Sequence, residues 1–233
     1  MNVRTLHGVG NARQATGYAV IIDVFRAFTT AAFCVAAGAT EIVLVKDHEE
    51  ALAMKRADPS LFLTGEIGGR PIPGFDAGNS PSRIEMLDLR GRRVVQRTSA
   101  GTQAAVDASG RAERVMCGSL VIASATARYL RSVAAEVTLV ATSEIAADGT
   151  GNEDAVCARH LAALLRGEPT DVPALMREIW DGEIGQWPDW FPRRDAELAC
   201  EVDRFDFALP VTRERGLLIA RPAHPGTNAG ASG

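Results

Sequence analysis

The sequence has few cysteines, no excess of positive charge and no long apolar run. Its four cysteines stand far apart without a CxxC pair, so neither a disulfide framework nor a zinc site is expected. The formal net charge of −4 provides no basic face for nucleic acid. No apolar stretch approaches the roughly 20 residues that cross a bilayer, and MNVRTLHGVG lacks the apolar core of a signal peptide. We therefore expect a soluble, cytoplasmic protein that binds neither nucleic acid nor membrane.

Several motifs of phosphate binding and hydrolysis are also missing. The P-loop pattern GxxxxGK[ST] does not occur, GxGxxG does not follow a predicted strand, and GxSxG is absent. The first apolar strand ends in Asp23, Val24 and Phe25, which lacks the second carboxylate of a DxD phosphatase motif. No cysteine is followed six positions later by the arginine of a cysteine phosphatase. These absences argue against the corresponding enzyme classes.

The 233 residues are instead organised as alternating apolar strands and helices. YAVIIDVF is a continuous β-branched run, typical of a strand buried on both faces. Further strands are predicted at EIVLV, LFLTG, RRVVQRTS, RVMCGS and VTLVATSE, with a helical pattern after each except LFLTG, which leads into a long loop. Six strands alternating with helices predict an α/β fold, a three-layer sandwich with a largely parallel or mixed sheet.

The C-terminal part has a different pattern. PALMREIWDG and DAELACEVD are predicted as helices, and FALPVTRERGLLIARP as two short strands around RERG. We interpret residues 167–222 as a small extension of helices and a hairpin. The hairpin would form either an antiparallel edge of the sheet or part of a small subdomain. Residues 1–222 would then form one domain, and the polar, glycine-rich residues 223–233 a disordered tail.

Candidate ligand-binding residues follow from this fold, because open α/β sheets bind ligands beyond the carboxyl ends of their strands. The predicted strand ends and the helix starts after them carry Asp23, Arg26, Thr29, Thr30, Glu66, Thr98, Ser99, Gly101, Thr102, Gly118, Ser119, Thr142, Ser143, Glu144, Glu153 and Asp154. The long loop after LFLTG adds Asp76, Asn79 and Ser80 in the stretch GFDAGNSP. Most connections in compact domains are much shorter than this loop.

The combination of residue types indicates metal-assisted phosphoryl chemistry. Hydroxyl and glycine residues at helix N-termini suit an anion such as phosphate, and Arg26 can add a bidentate charge. The carboxylates of Asp23, Glu66, Asp76, Glu153 and Asp154 are oxygen ligands suited to Mg²⁺. Each residue also has a structural explanation: threonine and serine cap helices, Glu153 and Asp154 complement a helix dipole, and Asp76 and Asn79 form turns. Asp23 is the hardest to explain structurally, because a carboxylate at the end of an apolar strand requires a partner or a metal.

Several blocks resemble the 2-phosphosulfolactate phosphatase family. IIDVFRAFTTAAFCVAAGA is similar to the family's IDVLRATTT…GA segment, and Gly65–Glu66 followed by GFDAGNSP to its GE…GFDxGNSP signature. RTSAGTQA, GNEDAVCA and RFDFAL resemble the family's TTNGTxA stretch, its ED-containing helix start and its C-terminal segment, in the same order. Ala100 replaces the asparagine of TTNGT, and Arg159 replaces a frequent glycine after the ED segment.

The resemblance implies a Mg²⁺-dependent phosphatase, often homodimeric, that acts on the phosphate ester of a 2-hydroxy acid. Asp23 and Arg26 would be catalytic, and Asp23, Glu66, Asp76, Glu153 and Asp154 would include the metal ligands. Phosphate and substrate would meet Thr29, Thr30, Asn79, Ser80, Thr98, Ser99, Gly101, Thr102, Gly118 and Ser119. A non-catalytic sensor of a phosphorylated metabolite is the alternative, kept open by Ala100, and phosphoryl transfer to another acceptor is a third. Whether Asp23 or a metal-bound water attacks phosphorus stays open.

Overall fold

The computed structural model describes residues 1–144, 152–182, 188 and 190–224. Its strands are β1 Asn2–His7, β2 Tyr18–Ile22, β3 Glu41–Leu44, β4 Phe62–Ile67, β5 Arg70–Pro71, β6 Ala77–Gly78, β7 Arg93–Arg97, β8 Arg114–Gly118, β9 Glu136–Ala141, β10 Leu209–Glu214 and β11 Leu217–Ala220. Its α-helices are α1 Ala27–Ala36, α2 His48–Ala57, α3 Pro81–Ile84, α4 Gly101–Ala108, α5 Ala123–Val133, α6 Glu153–Arg166, α7 Val172–Gly182 and α8 Arg193–Ala199. Two 3₁₀ helices cover Val9–Gln14 and Leu120–Ile122.

One mixed sheet runs through the molecule in the order β1-β9-β2-β8-β10-β11-β3-β7-β4-β5, with β6 beside β4. Two parallel halves make up most of it. In the first, β2 lies between β9 and β8, with Ile22 opposite Ala141 on one side and Gly118 on the other. In the second, β7 lies between β3 and β4. The predicted α/β class with a mixed sheet is confirmed.

The C-terminal hairpin lies in the middle of the sheet, between the two parallel halves. β10 pairs antiparallel with β8, and β11 pairs antiparallel with β3. This placement differs from the sheet edge or peripheral extension expected from sequence. Leu209, Val211 and Leu218 pack into the main core, and apolar side chains of this kind favour an interior position over an edge.

Helices cover both faces of the sheet and give three layers. One core contains Phe28 and Ala31 of α1 and Ala104 of α4, packed against one sheet face. On the opposite face, α5 and α6 pack over β2, β8 and β9, while α2 covers β3, β4 and β7. In β2 the alternation is visible directly, because Ile21 belongs to the first core and Ile22 to the second. A strand buried on both faces accounts for the continuous apolar run in YAVIIDVF.

Both ends of the chain differ from what the sequence predicts. β1 was not predicted, because NVRTLH mixes polar and apolar residues without clear alternation, yet it pairs in parallel with β9. The tail was predicted to be disordered from residue 223, but Ala223 exchanges backbone hydrogen bonds with Ala208. Residues 225–233 lie outside the described part, and the extent of a single domain over residues 1–222 stays a prediction. Within the part of the chain that the structure describes, no helix is long and apolar enough to cross a membrane.

Candidate active site

Asp23 directly follows β2, at the carboxyl edge of the first parallel half. Its side chain is 5% exposed. Oδ1 accepts a hydrogen bond from the backbone N–H of Ala27 at 2.8 Å, and the carboxylate also accepts from the backbone N–H of Gly101. A Cβ atom at position 101 would lie 2.8 Å from Asp23 Oδ2 and 2.8 Å from the Cβ of Ala27. Only glycine therefore allows the N-terminus of α4 to approach the carboxylate this closely.

The pKa of Asp23 is raised from 3.8 to about 7. Burial is the main cause, followed by the negative charge of Asp154 and, to a smaller extent, that of Glu66. The hydrogen bonds from Ala27 and Gly101 act in the opposite direction. A carboxyl group with this pKa exchanges its proton near neutral pH, as a general acid or base must.

Asp154 ties the ends of two strands together. Its Oδ1 accepts the backbone N–H of Val24 at 2.7 Å, and its Oδ2 accepts Thr142 Oγ1 and the N–H of Ser143, each at 2.9 Å. Burial raises its pKa, while these hydrogen bonds lower it. The Asp154 side chain thus holds the loop after β2 against the end of β9 and adds negative charge beside Asp23.

Glu66 reaches the same region from β4. It is 6% exposed and accepts hydrogen bonds from the backbone N–H and hydroxyl of Ser99 and from the N–H of Gly69 at 2.6 Å. Arg97 donates to the backbone carbonyl of Glu66 at 2.8 Å. The carboxylate is therefore fixed between the turn after β4 and the turn after β7.

Arg26 is buried, and its charge is balanced by a residue from the other end of the chain. Its Nη1 lies 2.7 Å from Oδ2 of Asp195, which is fully buried. Its guanidinium also lies 4.3 Å from the ring centre of Phe191 and 5.6 Å from that of Trp190. The ion pair and the two aromatic rings hold the guanidinium in one position.

The GFDAGNSP stretch returns to the site through the same Asp195. Ser80 Oγ donates to Asp195 Oδ1 at 2.8 Å, and Ser82 donates both its N–H, at 3.0 Å, and its hydroxyl. Asn79 is 6% exposed, and its Oδ1 is buried without a hydrogen-bond partner. Asp76 takes another direction, because its carboxylate pairs with Lys55 Nζ and accepts the backbone N–H of Leu63 at 2.7 Å.

Two neighbouring cavities lie around these residues. The smaller, about 210 Å³, is lined by Asp23, Phe25, Arg26, Glu66, Gly69, Asn79, Ser99, Ala100, Trp190 and Phe191. The wider, about 640 Å³, shares Arg26, Gly69, Asn79 and Trp190 with it and continues past the GFDAGNSP stretch to α3. Of the residues predicted from sequence, Asp23, Arg26, Glu66, Asn79 and Ser99 border the smaller cavity.

The remaining predicted phosphate-binding residues do not border the smaller cavity, and most of their polar groups bond within the protein. Thr98 and Thr102 exchange hydrogen bonds across the first turn of α4, so they cap this helix. Thr29 Oγ1 donates to the carbonyl of Val24 at 2.8 Å and lies 2.6 Å from Ser119 Oγ. The carbonyl of Gly118 accepts the N–H of Asp23. Thr30 is fully buried in α1. Glu153 is buried at the start of α6 and is not among the residues that border either cavity.

The oxygen ligands in the smaller cavity fit a hydrated cation better than a closed metal cage. No group of three or more His, Cys, Asp or Glu side chains in the described ranges is arranged to hold a metal. Asp23, Glu66 and the unbonded Oδ1 of Asn79 nevertheless border one pocket. Mg²⁺ typically keeps several waters and uses one or two carboxylates together with a substrate phosphate. This donor set therefore fits Mg²⁺, whereas Asp76, which pairs with Lys55, and Asp154 do not border the smaller cavity.

Asp195, Trp190 and Gly69 were missed by sequence reasoning. Asp195 lies in the helical pattern DAELACEVD and resembles an ordinary residue of a first helical turn. Trp190 is not among the candidate residues named from the sequence, although its ring lies directly over Gly69, where an added Cβ would come within 2.2 Å of it. Asp195 carried no signal in the sequence, because Arg193, Arg194 and Glu197 around it are charged as well. Gly69 offered none beyond the general glycine content of its loop.

Comparisons with known proteins agree with the resemblance seen in the sequence. The family model for 2-phosphosulpholactate phosphatase matches residues 5–186. Proteins named "Probable 2-phosphosulfolactate phosphatase" from Thermoplasma acidophilum, Deinococcus radiodurans and Bacillus subtilis are similar to this chain. The Thermoplasma protein is 32% identical over 84% of this chain and 87% of its own length. The Deinococcus protein is 46% identical over 51% of this chain and 49% of its own length. The Bacillus protein is 33% identical over 64% of this chain and 64% of its own length. The chain thus spans about half the length of the Deinococcus relative and less than two thirds of the Bacillus one.

Proposed function

The chain belongs to the 2-phosphosulfolactate phosphatase family, and we propose that it hydrolyses a phosphate monoester of a 2-hydroxy acid with the help of Mg²⁺. The observation that carries this proposal is the buried carboxyl group of Asp23, which faces a pocket together with Glu66 and Arg26. A buried carboxyl group with a pKa near 7 is a signature of a catalytic site.

Hydrolysis needs one proton to move from the attacking water to the ester oxygen. A P–O bond to water forms, and the P–O bond to the hydroxy acid breaks. Asp23 can take up the proton of the water and return it to the leaving oxygen, because both its protonation states are populated near neutral pH. The N–H groups of Ala27 and Gly101 keep the carboxyl group oriented during this exchange.

Arg26 supplies the positive charge that a phosphoryl group requires. Its guanidinium borders the pocket, and Asp195 with the two aromatic rings fixes it before substrate binds. Charge that is positioned in advance stabilises the equatorial phosphoryl oxygens without reorganisation during the reaction. The positive end of α4 points at Asp23 through Gly101 and reinforces this field.

Glu66 and the unbonded Oδ1 of Asn79 would hold the Mg²⁺ ion beside Asp23, whose carboxyl group stays free to exchange its proton. When bound, the ion would supply charge neutralisation for the phosphate oxygens. The buried carboxylates of Asp23, Glu66 and Asp154 repel one another, and this repulsion is the physical reason to expect a cation in the site.

The test is phosphate release from phosphorylated 2-hydroxy acids, phosphosulfolactate and phospholactate included, with Mg²⁺ and with EDTA. We expect release that EDTA abolishes. Asp23→Asn should lower kcat by at least about 100-fold, the usual contribution of a positioned acid or base. The variant should stay folded, because it removes a buried ionisable group whose charged form is disfavoured. Asp88→Asn, at an exposed aspartate, is the matched control. Full activity of Asp23→Asn would refute the assignment.

A sensor of a phosphorylated metabolite is the second candidate, favoured by one observation. Ala100 borders the smaller cavity, where the family pattern has an asparagine, so the pocket lacks one amide. A sensor would bind the phosphate ester, as measured by calorimetry, without releasing phosphate. In that case Ala100→Asn would be the substitution expected to restore turnover.

A further inference from the structure

The wider cavity is larger than a three-carbon acid needs. Its volume of about 640 Å³ lies in the range of pockets that bind ligands of drug size. It shares Arg26, Gly69, Asn79 and Trp190 with the smaller cavity, so the two lie side by side and a substrate with its phosphate beside Asp23 has the wider cavity next to it. The part of the substrate beyond the phosphate therefore has a site of its own.

Arg83 gives this cavity an uncompensated positive charge. The other charged residues that border it already have ionic partners in the protein: Arg26 pairs with Asp195, and Asp76 pairs with Lys55. Arg83 is exposed in α3, and it takes part in none of the ion pairs found in the described part of the chain. Glu85, two positions further along, is already paired with Arg204. An arginine with free donors at the wall of a cavity is suited to a carboxylate or sulfonate.

The remaining wall of the cavity is mostly apolar. Trp190, Pro71 and Pro192 border it, together with Met86 and Leu87, whose side chains are 84% and 40% exposed. Exposed apolar side chains grouped around a pocket indicate a ligand-binding surface. The carbon chain of a substrate that joins its phosphate to an anionic group at the other end would cover this apolar wall and remove it from water.

We propose that the wider cavity binds the distal part of the substrate, a short apolar chain that ends in an anionic group, and that Arg83 is the residue that selects this group. The inference rests on the proposed phosphatase function. It adds to it a second recognition site and a preferred substrate class, phosphate monoesters with a carboxylate or sulfonate several carbon atoms from the ester oxygen.

The test uses two matched series of substrates, ω-carboxyalkyl phosphates and plain alkyl phosphates of equal chain length. In the wild type, kcat/KM should rise with chain length in both series, up to about fourfold for each methylene that the apolar wall buries. At the chain length that reaches Arg83, the carboxylate should add about tenfold or more, the value of one hydrogen bond to a charged group. This advantage should appear in KM rather than in kcat, because the contact is distant from the reacting atoms.

Arg83→Gln should remove the carboxylate advantage, and Arg83→Lys should restore part of it. Arg56→Gln is the matched control, because Arg56 is exposed on α2 and borders neither cavity. Equal kcat/KM for the two series in the wild type, or an unchanged ratio in Arg83→Gln, would overturn the proposal.

A calorimetric measurement separates this proposal from the phosphatase function. The probes are an ω-carboxyalkyl phosphonate and the alkyl phosphonate of the same length, which bind without turnover. About tenfold tighter binding of the carboxylated probe to the wild type, lost in Arg83→Gln, supports the cavity assignment even if no ester releases phosphate. Equal affinity of the two probes contradicts it whatever the enzyme assay shows.

Discussion

Asp195→Asn tests how far the site depends on one buried carboxylate, because the substitution removes its charge and keeps its shape. Oδ2 of Asp195 binds Arg26, and Oδ1 accepts hydrogen bonds from Ser80 and Ser82. Every group around the carboxylate is a donor. An asparagine must turn its NH₂ group toward either Arg26 or the serines, so two donors then face each other.

The expected cost follows from the burial of the pair. Asp195 is 0% exposed and Arg26 4%, and removing one partner of a buried ion pair costs about 3–5 kcal/mol because the other charge stays buried. Asparagine keeps part of the hydrogen bonding, so we expect the free energy of unfolding to fall by about 3 kcal/mol. Domains are stable by about 5–15 kcal/mol, so the variant should remain folded. Its kcat/KM should fall as well, because Arg26 is no longer held at the pocket.

Urea unfolding followed by circular dichroism measures the first effect, and phosphate release the second. Asp206→Asn is the control: Asp206 is 78% exposed and pairs with Arg128, and such surface pairs contribute about 0–1 kcal/mol. A double-mutant cycle with Arg26→Met isolates the pair, since the double variant should be less destabilised than the sum of the two single ones. Equal destabilisation by Asp195→Asn and Asp206→Asn would refute the reasoning.

Two further predictions concern Gly101 and His160. Gly101→Ala should destabilise the fold by about 1–3 kcal/mol and lower turnover, because the new Cβ has no room beside Asp23 and Ala27. Gly10→Ala is the control and should be neutral, because a Cβ at Gly10 would meet no atom within 4 Å. Equal unfolding midpoints for the two variants would contradict this prediction. His160 is buried with both ring nitrogens unbonded, and burial lowers its pKa although the negative charge of Asp203 opposes the shift. The unfolded chain therefore takes up a proton near pH 6.5 that the folded chain resists, so this contribution to stability is present above pH 6.5 and is lost as the pH falls. Relative to His160→Phe, the wild type should lose stability as the pH falls from 7.5 to 5.5, measured by urea unfolding; a constant difference would contradict it.

The local pattern of apolar and polar residues was sufficient to predict most of the secondary structure. The β-branched run of β2 and the helical spacing of α2, α5 and α6 appear at the predicted places, because side-chain periodicity reflects which faces are buried. β1 was not predicted, because its polar and apolar residues do not alternate regularly. The strand forms by pairing with β9 rather than because of its own composition.

The strand-end rule located part of the candidate site as well. Asp23, Arg26, Glu66 and Asn79 border one pocket, since parallel strands end at one edge of the sheet. Residue type alone did not reveal the direction of each side chain. The hydroxyls of Thr29 and Thr102 belong to the same strand ends but turn inward to backbone groups, and the carboxylate of Asp76 turns to Lys55.

The sequence by itself determined the α/β class, the succession of strands and helices, and the positions where polar residues end apolar strands. These properties depend on neighbours along the chain. Only the tertiary structure decided that the C-terminal hairpin lies at the centre of the sheet and that Asp195 reaches Arg26 across 169 positions. Contacts of this kind have no local signal, because they form only when distant segments are brought together by burial of the common core.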